Sequence, residues 1–159
     1  MILKDLRIFS QNVCESNFLI NTILKVNHDF DIIFIQEPLW TTLRSILSSM
    51  NHEGVSLLGV PNHPNWLTFV REPSSSNESP RVVTYINIRL LSLRFLFRKD
   101  IINHRDIILT SFFNNNSTFW IMNIYSDSSH TTLKYLKDTE VNLSNLLIMT
   151  GDFNIRDSS

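Results

Sequence analysis

The 159-residue sequence contains no alanine, only three glycines and a single cysteine. Because alanine is the strongest helix former, its absence favours strands and short helices over long helices. Cys14 can form no intrachain disulfide and cannot by itself build a zinc site, which fits a reducing, intracellular compartment. The formal net charge is −1, so no overall positive field indicates a non-specific nucleic-acid binder. Any anionic partner must therefore bind at a local patch or through a metal ion.

Long apolar segments are also missing from the sequence. No stretch reaches the roughly 18 apolar residues that a membrane helix needs. Charges at Lys4, Asp5 and Arg7 interrupt the apolar run that a signal peptide requires. We therefore expect an intracellular protein with no membrane partner. Hydrophobic residues nevertheless make up 43% of the chain, enough for one buried core, and we expect a single domain over residues 1–159.

The hydrophobic pattern predicts alternating strands and helices. The continuous apolar run at 31–36 is typical of a strand buried on both faces. It follows a predicted strand at 3–13 and a predicted helix at 18–27 with Ser16 as its cap, so the chain opens as a βαβ-like unit. Further strands are predicted at 81–88, 91–99, 106–113, 118–125 and 146–149, and further helices at 41–50 and at 130–143, the latter capped by Ser128 or Ser129. This order of elements implies a mixed α/β fold with several antiparallel strands.

Polar residues follow three of the predicted strands where they end. Asn12 lies near the end of the first strand, Glu37 follows the second, and Asp152 and Asn154 follow the last. Ligands of α/β sheets bind beyond the carboxyl ends of strands, so we expect these side chains to share a site, although each alone would also suit a solvated turn. Two carboxylates suit Mg²⁺, and two amides can orient a phosphate or a water without adding negative charge. We expect the carboxylates of Glu37 and Asp152 to lie about 4 to 6 Å apart, close enough to share one hydrated Mg²⁺.

Four stretches of the sequence occur in the order and spacing of the endonuclease/exonuclease/phosphatase superfamily. They are residues 10–13 (Ser-Gln-Asn-Val), 31–37 (Asp-Ile-Ile-Phe-Ile-Gln-Glu), 123–125 (Asn-Ile-Tyr) and 148–154 (Ile-Met-Thr-Gly-Asp-Phe-Asn). More narrowly, the chain resembles the apurinic-type endonuclease domain of a non-LTR (LINE-type) retrotransposon. The resemblance implies a DNase I-like fold, a four-layer α/β sandwich with two packed mixed sheets.

The same resemblance implies a role for each site residue. Glu37 is expected to be a ligand of Mg²⁺, with Mn²⁺ as a substitute, and Asn12 to support the metal and the phosphate. Tyr125 is expected to contact the scissile phosphate region, and Asp152 with Asn154 to position the nucleophile and stabilise the transition state. The implied protein is a metal-dependent phosphodiesterase that nicks DNA in the nucleus, beside a reverse-transcriptase domain of the same element.

The resemblance extends over about the first two-thirds of the family's domain. Family domains continue with a second aspartate and a closing Ser-Asp-His segment, so we expect the fold to be incomplete at its C-terminus and catalysis to be impaired. Residues 126–130 (Ser-Asp-Ser-Ser-His) differ from that segment in spacing and order, and we expect a helix-capping loop there. Two alternatives stay open: a non-catalytic remnant of such a domain, or another phosphodiesterase of the superfamily that acts on a phosphorylated small molecule or lipid.

The basic residues concentrate in the second half of the sequence. A solvated strand face and contact with a DNA backbone are both consistent with this concentration. Its members are Arg89, Arg94, Arg98, Lys99 and Arg105. Four of the histidines, His28, His52, His63 and His104, fall in predicted turns, where we expect them to be solvated.

Overall fold

The computed structural model describes residues 6–40, 59–71, 73, 78–114 and 117–155. The described chain forms two four-stranded mixed sheets that pack face to face, with a helix on the outer face of each, as the resemblance implies. The elements are β1 Ile8–Asn12, α1 Asn17–Val26, β2 Ile32–Gln36, β3 Trp66–Phe69, β4 Val82–Asn87, a 3₁₀ helix Ile88–Ser92, β5 Arg94–Phe97, β6 Ile107–Asn114, β7 Ser117–Tyr125, α2 Thr131–Asp138 and β8 Leu146–Asp152. The predicted helix at 41–50 lies outside the described residues.

The first sheet has the strand order β1-β2-β4-β3. Strands β1 and β2 are parallel and joined by α1, so the predicted βαβ opening is confirmed. Strand β4 runs antiparallel to both β2 and β3, with Gln36 opposite Val82 and Phe69 opposite Thr84. The carboxyl ends of β1, β2 and β3 and the start of β4 consequently lie at one end of this sheet.

The second sheet has the order β5-β6-β7-β8. Strand β6 runs antiparallel to both β5 and β7. Strand β8 pairs with the other side of β7 and runs parallel to it, with Tyr125 opposite Asp152. The carboxyl ends of β5, β7 and β8 and the start of β6 therefore share one end of this sheet. Hydrogen bonds between the two sheets, described below, bring that end beside the corresponding end of the first sheet.

Three main apolar clusters hold the layers together. Between the sheets, Ile32 and Phe34 of β2 pack with Phe112 of β6 and Ile121 of β7. Helix α1 covers the outer face of the first sheet, and α2 covers the outer face of the second. Strand β2 is buried at every position because it has an apolar layer on both faces, which explains its continuous apolar sequence.

The two α-helices are short. Ser16 caps α1 as predicted, because its hydroxyl accepts a hydrogen bond from the Leu19 N–H at 3.2 Å. Helix α2 ends at Asp138, before the predicted end at 143. The prediction of a serine cap is wrong, since the carboxylate of Asp127 accepts from the N–H groups of Ser129 and Thr131 instead. Within the described ranges no helix is long and apolar enough to cross a membrane.

Strand β3 is a strand that the sequence pattern did not predict. It has only four residues, and they follow a segment of Pro, Asn and His residues without apolar alternation. Its first residue, Trp66, is buried, and the indole N–H donates to the Leu24 carbonyl of α1 at 3.0 Å. The strand therefore exists because tertiary contacts with α1 and β4 stabilise it.

Candidate active site

The five residues expected to act together meet at the shared end of the two sheets. Asn12 is the last residue of β1 and Glu37 follows β2, while Tyr125 and Asp152 are the last residues of β7 and β8. Asn154 lies in the turn after β8. Each sheet thus contributes part of the candidate site, and packing of the sheets assembles it.

The amide of Asn12 connects the two carboxylates. Its Nδ2 donates to Oε2 of Glu37 and to Oδ2 of Asp152, each at 2.7 Å. The two carboxylate oxygens are therefore separated by at most twice this distance, which is compatible with the expected separation of about 4 to 6 Å. The Oδ1 of Asn12 accepts from the N–H of Cys14 at 2.9 Å and fixes the orientation of the amide.

Tyr125 contacts the other oxygen of Glu37. The phenol O–H donates to Oε1 of Glu37 at 2.7 Å. Burial, together with this hydrogen bond, raises the pKa of Tyr125 to about 12, while the guanidinium of Arg81, 4.6 Å above the ring, opposes the increase. The phenol consequently stays protonated at neutral pH and remains a hydrogen-bond donor.

Asn154 forms hydrogen bonds to the loop after β7 and to the Asp152 carboxylate. Its N–H donates to Oδ1 of Asp152 at 2.9 Å, and its Nδ2 donates to the carbonyl of Ser126 at 2.7 Å. The first bond orients the Asp152 carboxylate, and the second connects the loop after β8 to the loop after β7. Asn154 is therefore placed to orient Asp152.

The backbone reverses into the left-handed region at several strand ends of the site. Glu37 has φ of 50° and Asn154 has φ of 47°, and Cys14 and Glu15 also have positive φ. Such conformations are unfavourable for non-glycine residues and concentrate at functional sites, where surrounding contacts maintain them. At Glu37 these contacts are backbone hydrogen bonds to Arg81 and Glu15, at 2.9 and 2.8 Å.

A buried polar bridge between the sheets lies directly behind the carboxylates. Nε2 of Gln36 donates to Oδ1 of Asn123 at 2.8 Å and to the Ser10 hydroxyl at 3.2 Å. Nδ2 of Asn123 in turn donates to the Val83 carbonyl at 2.9 Å. Gln36 and Asn123 are both essentially inaccessible to solvent, and each is one or two residues from a site residue. The bridge therefore fixes the position of β2 relative to β7.

The structure adds Arg81 and Asp106 to the site, and sequence reasoning missed both. Nε of Arg81 donates to Oδ1 of the fully buried Asp106 at 2.8 Å, and Nη2 bonds the second carboxylate oxygen. Hydrogen bonding to Asp106 raises the pKa of Arg81. The two residues precede β4 and β6, and only the packing of the sheets brings them together.

Glu37 and Asp152 have no cationic partner among the described residues. Every salt bridge in that part of the chain involves other acids. The same part contains no cluster of three or more His, Cys, Asp or Glu side chains arranged to hold a metal. Two carboxylates with neutral amide and phenol partners fit Mg²⁺, which uses one or two protein carboxylates and completes its shell with water and phosphate.

No described histidine has a contact with either carboxylate. His130 directly precedes α2 and has φ of 54°, in keeping with the expected helix-capping loop. His104 is half-buried against the ring of Tyr135, with the ring centroids 4.7 Å apart. The expectation that His104 is solvated is therefore wrong.

The fold is similar to that of a solved endonuclease domain. This is the endonuclease domain of TRAS1, a telomere-specific non-LTR retrotransposon, with a TM-score of 0.58 and 12% sequence identity. The similarity covers 96% of this chain but 60% of the TRAS1 chain, so this chain spans less than two-thirds of that domain. No family model and no curated protein matches the sequence. The comparison shows that this chain has a DNase I-like α/β fold with two packed mixed sheets.

Proposed function

We propose that the chain is a metal-dependent phosphodiesterase domain that nicks DNA. The observation that carries this proposal is the shared hydrogen bonding of Glu37 and Asp152 to Asn12 at one end of the sandwich. Two adjacent carboxylates without a cationic partner repel each other, and a bound cation would relieve that repulsion. The fold of a retrotransposon endonuclease domain gives further support.

Glu37 and Asp152 would hold the cation in this proposal. Each of their oxygens accepts one hydrogen bond from a neutral donor and keeps a lone pair for a metal ion. When bound, Mg²⁺ supplies positive charge that stabilises the developing charge on the phosphate.

The remaining groups orient the reactants. Tyr125, protonated at neutral pH, fixes the Glu37 carboxylate. The amide of Asn12 sets the separation of the two acids, and Asn154 orients Asp152, which in this proposal positions the attacking water. The nucleus and a reverse-transcriptase partner belong to the proposal through the resemblance to a retroelement domain.

Binding of Mn²⁺, measured by isothermal titration calorimetry, tests the metal site directly. We expect Glu37→Gln and Asp152→Asn to weaken Mn²⁺ binding at least about tenfold, because each removes one of two charged ligands. Glu15→Gln is the matched control, since it removes the same charge from an exposed residue of the neighbouring loop. Equal affinity in the wild-type chain and both site variants would contradict the proposal.

A second candidate function is binding without turnover. It is favoured by the absence of any histidine contact with Glu37 or Asp152 among the described residues, since a positioned general acid or base is commonly worth about 10² to 10⁴-fold in rate. Nicking of supercoiled plasmid with Mg²⁺ distinguishes the two candidates. Nicking that Glu37→Gln abolishes supports the enzyme, whereas Mn²⁺ binding without nicking by these 159 residues supports the second candidate.

A further inference from the structure

A cationic cleft lies at the same end of the sandwich as the carboxylate pair. It has a volume of about 430 Å³, and its lining includes Arg71, Glu78, Pro80, Asn103, His104 and Arg105. Arg71 follows the end of β3, and residues 103–105 directly precede β6. The strand topology therefore places this cleft and the candidate active site along one edge.

Arg71 is a partly buried cation that donates hydrogen bonds to neutral groups. Its Nη2 donates to the Ile102 carbonyl at 2.9 Å and its Nη1 to the side chain of Asn103, while its buried Nε has no hydrogen-bond partner. Burial lowers the pKa of Arg71, and the nearby Tyr135 hydroxyl opposes this decrease. An incoming anion would compensate this desolvation.

Arg105 adds a second positive charge to the cleft. Its Nε lies 3.7 Å from Oδ1 of Asp106, but Asp106 already forms a two-pronged hydrogen bond with Arg81. Asp106 therefore neutralises the charge of Arg81 more fully than it neutralises the charge of Arg105. The exposed acid Glu78 also lines the cleft. Lys99 lies close by, with its Nζ 5.0 Å from the Phe97 ring on which Arg71 also packs.

A chain of contacts connects the cleft with the carboxylates. Glu37 bonds Tyr125, the guanidinium of Arg81 stacks on the Tyr125 ring, and Arg81 pairs with Asp106 beside Arg105. In the first sheet β4 lies between β2 and β3, so β2 and β3 are about 10 Å apart. This spacing exceeds the axial rise of about 3.4 Å per nucleotide in one strand of duplex DNA, so the two positions suit different phosphates of one strand.

We propose that the Arg71–Arg105 cleft binds a second backbone phosphate of a DNA strand whose scissile phosphate lies at Glu37 and Asp152. This inference rests on the proposed function and narrows the substrate, because a ligand with one phosphate group cannot occupy both positions. Of the basic residues noted in the sequence, Arg105 lines the cleft and Lys99 lies close by, so the proposal keeps the DNA-backbone alternative for these two. Arg89 is paired with Asp31 at 2.8 Å, and Arg94 begins β5 at the opposite end of the sandwich.

Binding of a short fluorescent DNA duplex, followed by anisotropy in EDTA at several salt concentrations, tests the cleft without any metal. We expect Arg71→Gln and Arg105→Gln each to weaken binding several-fold and to reduce the salt slope by about 1. Arg94→Gln, which removes the same charge at the opposite end, should leave affinity nearly unchanged. Arg71→Lys retains the charge and should keep most of the affinity, and thermal unfolding checks that all the variants fold.

Three results would overturn the inference: no binding of the duplex, equal losses from all three glutamine variants, or displacement of the duplex by inorganic phosphate at matched ionic strength. The last result would assign the cleft to small anions. Failure of the proposed function has a different signature. Mn²⁺ binding that is insensitive to Glu37→Gln would remove the metal site, while a selective dependence of duplex binding on Arg71 and Arg105 would still support the phosphate cleft.

Discussion

Single residues of this chain show how local backbone geometry decides what a polar side chain can contact. Glu37 and Asn154 follow apolar strands, and both have positive φ, so the chain turns sharply where each strand ends. The turn after β2 leaves the Glu37 carboxylate between Asn12 and Tyr125. A polar residue in an ordinary extended conformation at this position would not have the same contacts, and the strain is therefore part of how the site is built.

Gly151 shows the opposite requirement, since no side chain fits there. An added Cβ would lie 1.8 Å from the carbonyl oxygen of Ile124 in the neighbouring strand β7. We expect Gly151→Ala to lower the free energy of unfolding by at least about 2 kcal/mol, because rigid backbone must shift. Urea denaturation measures this, and Met149→Ala on the same strand, an exposed position, is the comparison. A Gly151→Ala variant as stable as Met149→Ala would contradict this account.

His104 gives the fold a dependence on pH. Burial lowers the pKa of His104 below its ordinary value of about 6.5, with the nearby Asp106 carboxylate opposing this decrease. The pKa of His104 is therefore lower in the folded chain than in the unfolded chain, and the unfolded chain binds the proton more readily. The resulting stability is fully present above about pH 6.5 and is lost as the pH falls towards the pKa of the folded state. We expect His104→Gln to reduce the loss of stability between about pH 7.5 and pH 5.5. Denaturation at both pH values checks this, with the exposed His28→Gln as the variant that should behave as wild type.

At the scale of elements, the bridge between β2 and β7 is a polar contact between the sheets that lies behind the candidate site and is inaccessible to solvent. Removing Gln36 leaves the buried Oδ1 of Asn123 without its donor, and removing Asn123 leaves Nε2 of Gln36 with the Ser10 hydroxyl alone. Such a loss costs about 1 to 3 kcal/mol, whereas replacing both members with apolar groups can be nearly neutral. The bridge therefore specifies how the sheets align more than it stabilises their packing.

A double-mutant cycle tests this interpretation of the bridge. We expect Asn123→Leu alone to lose about 1 to 3 kcal/mol in urea denaturation, and the double variant Gln36→Leu with Asn123→Leu to recover part of that loss. Thr110→Val is the control, because the buried Thr110 hydroxyl has no hydrogen-bond partner and its removal should cost little. Additive losses in the double variant would show that Gln36 and Asn123 do not act as a pair.

The environment of each strand also explains which features the sequence could predict. Strands such as Ile32–Gln36 and Val82–Asn87 are rich in apolar residues and buried at every position, so a strand between two layers is the structure that their sequences favour. Strand β3 was missed because four residues show no period, and its formation depends on Trp66 packing under α1. The residues of the candidate site were identified by their types and order, but Arg81 and Asp106 were not, since their pairing depends on the packing of two sheets and leaves no local pattern.

For the whole molecule, the two sheets place opposite charges along one end. The carboxylates of Glu37 and Asp152 lie on the side of β1 and β8, while Arg71, Lys99 and Arg105 lie on the side of β3 and β5. The net charge of −1 hides this separation, because it sums over the entire chain. A polyanion that spans this end would meet the cation-binding carboxylates and the basic cleft together, and the topology alone sets the distance between them.

The outer strand β8 makes the molecule prone to self-association. It pairs with β7 on one side and has no further strand beside it among the described residues. Leu147 and Met149 on this strand are 59% and 42% exposed, and they alternate with Ile148, which packs between the sheets. An unpaired edge with exposed apolar side chains is a template for pairing with a second molecule, and a net charge near zero provides little repulsion.

We expect Leu147→Lys combined with Met149→Lys to reduce concentration-dependent association in size-exclusion chromatography with light scattering. Charges on an edge strand disfavour strand addition, and exposed substitutions change the free energy of unfolding by about 0.5 kcal/mol or less each. Val26→Lys is the control, because Val26 is 67% exposed and lies at the end of helix α1 instead of on a strand. If Val26→Lys lowers the association as much as the β8 variant, general apolar exposure is the cause. If only the β8 variant does so, association proceeds through the open edge of the second sheet.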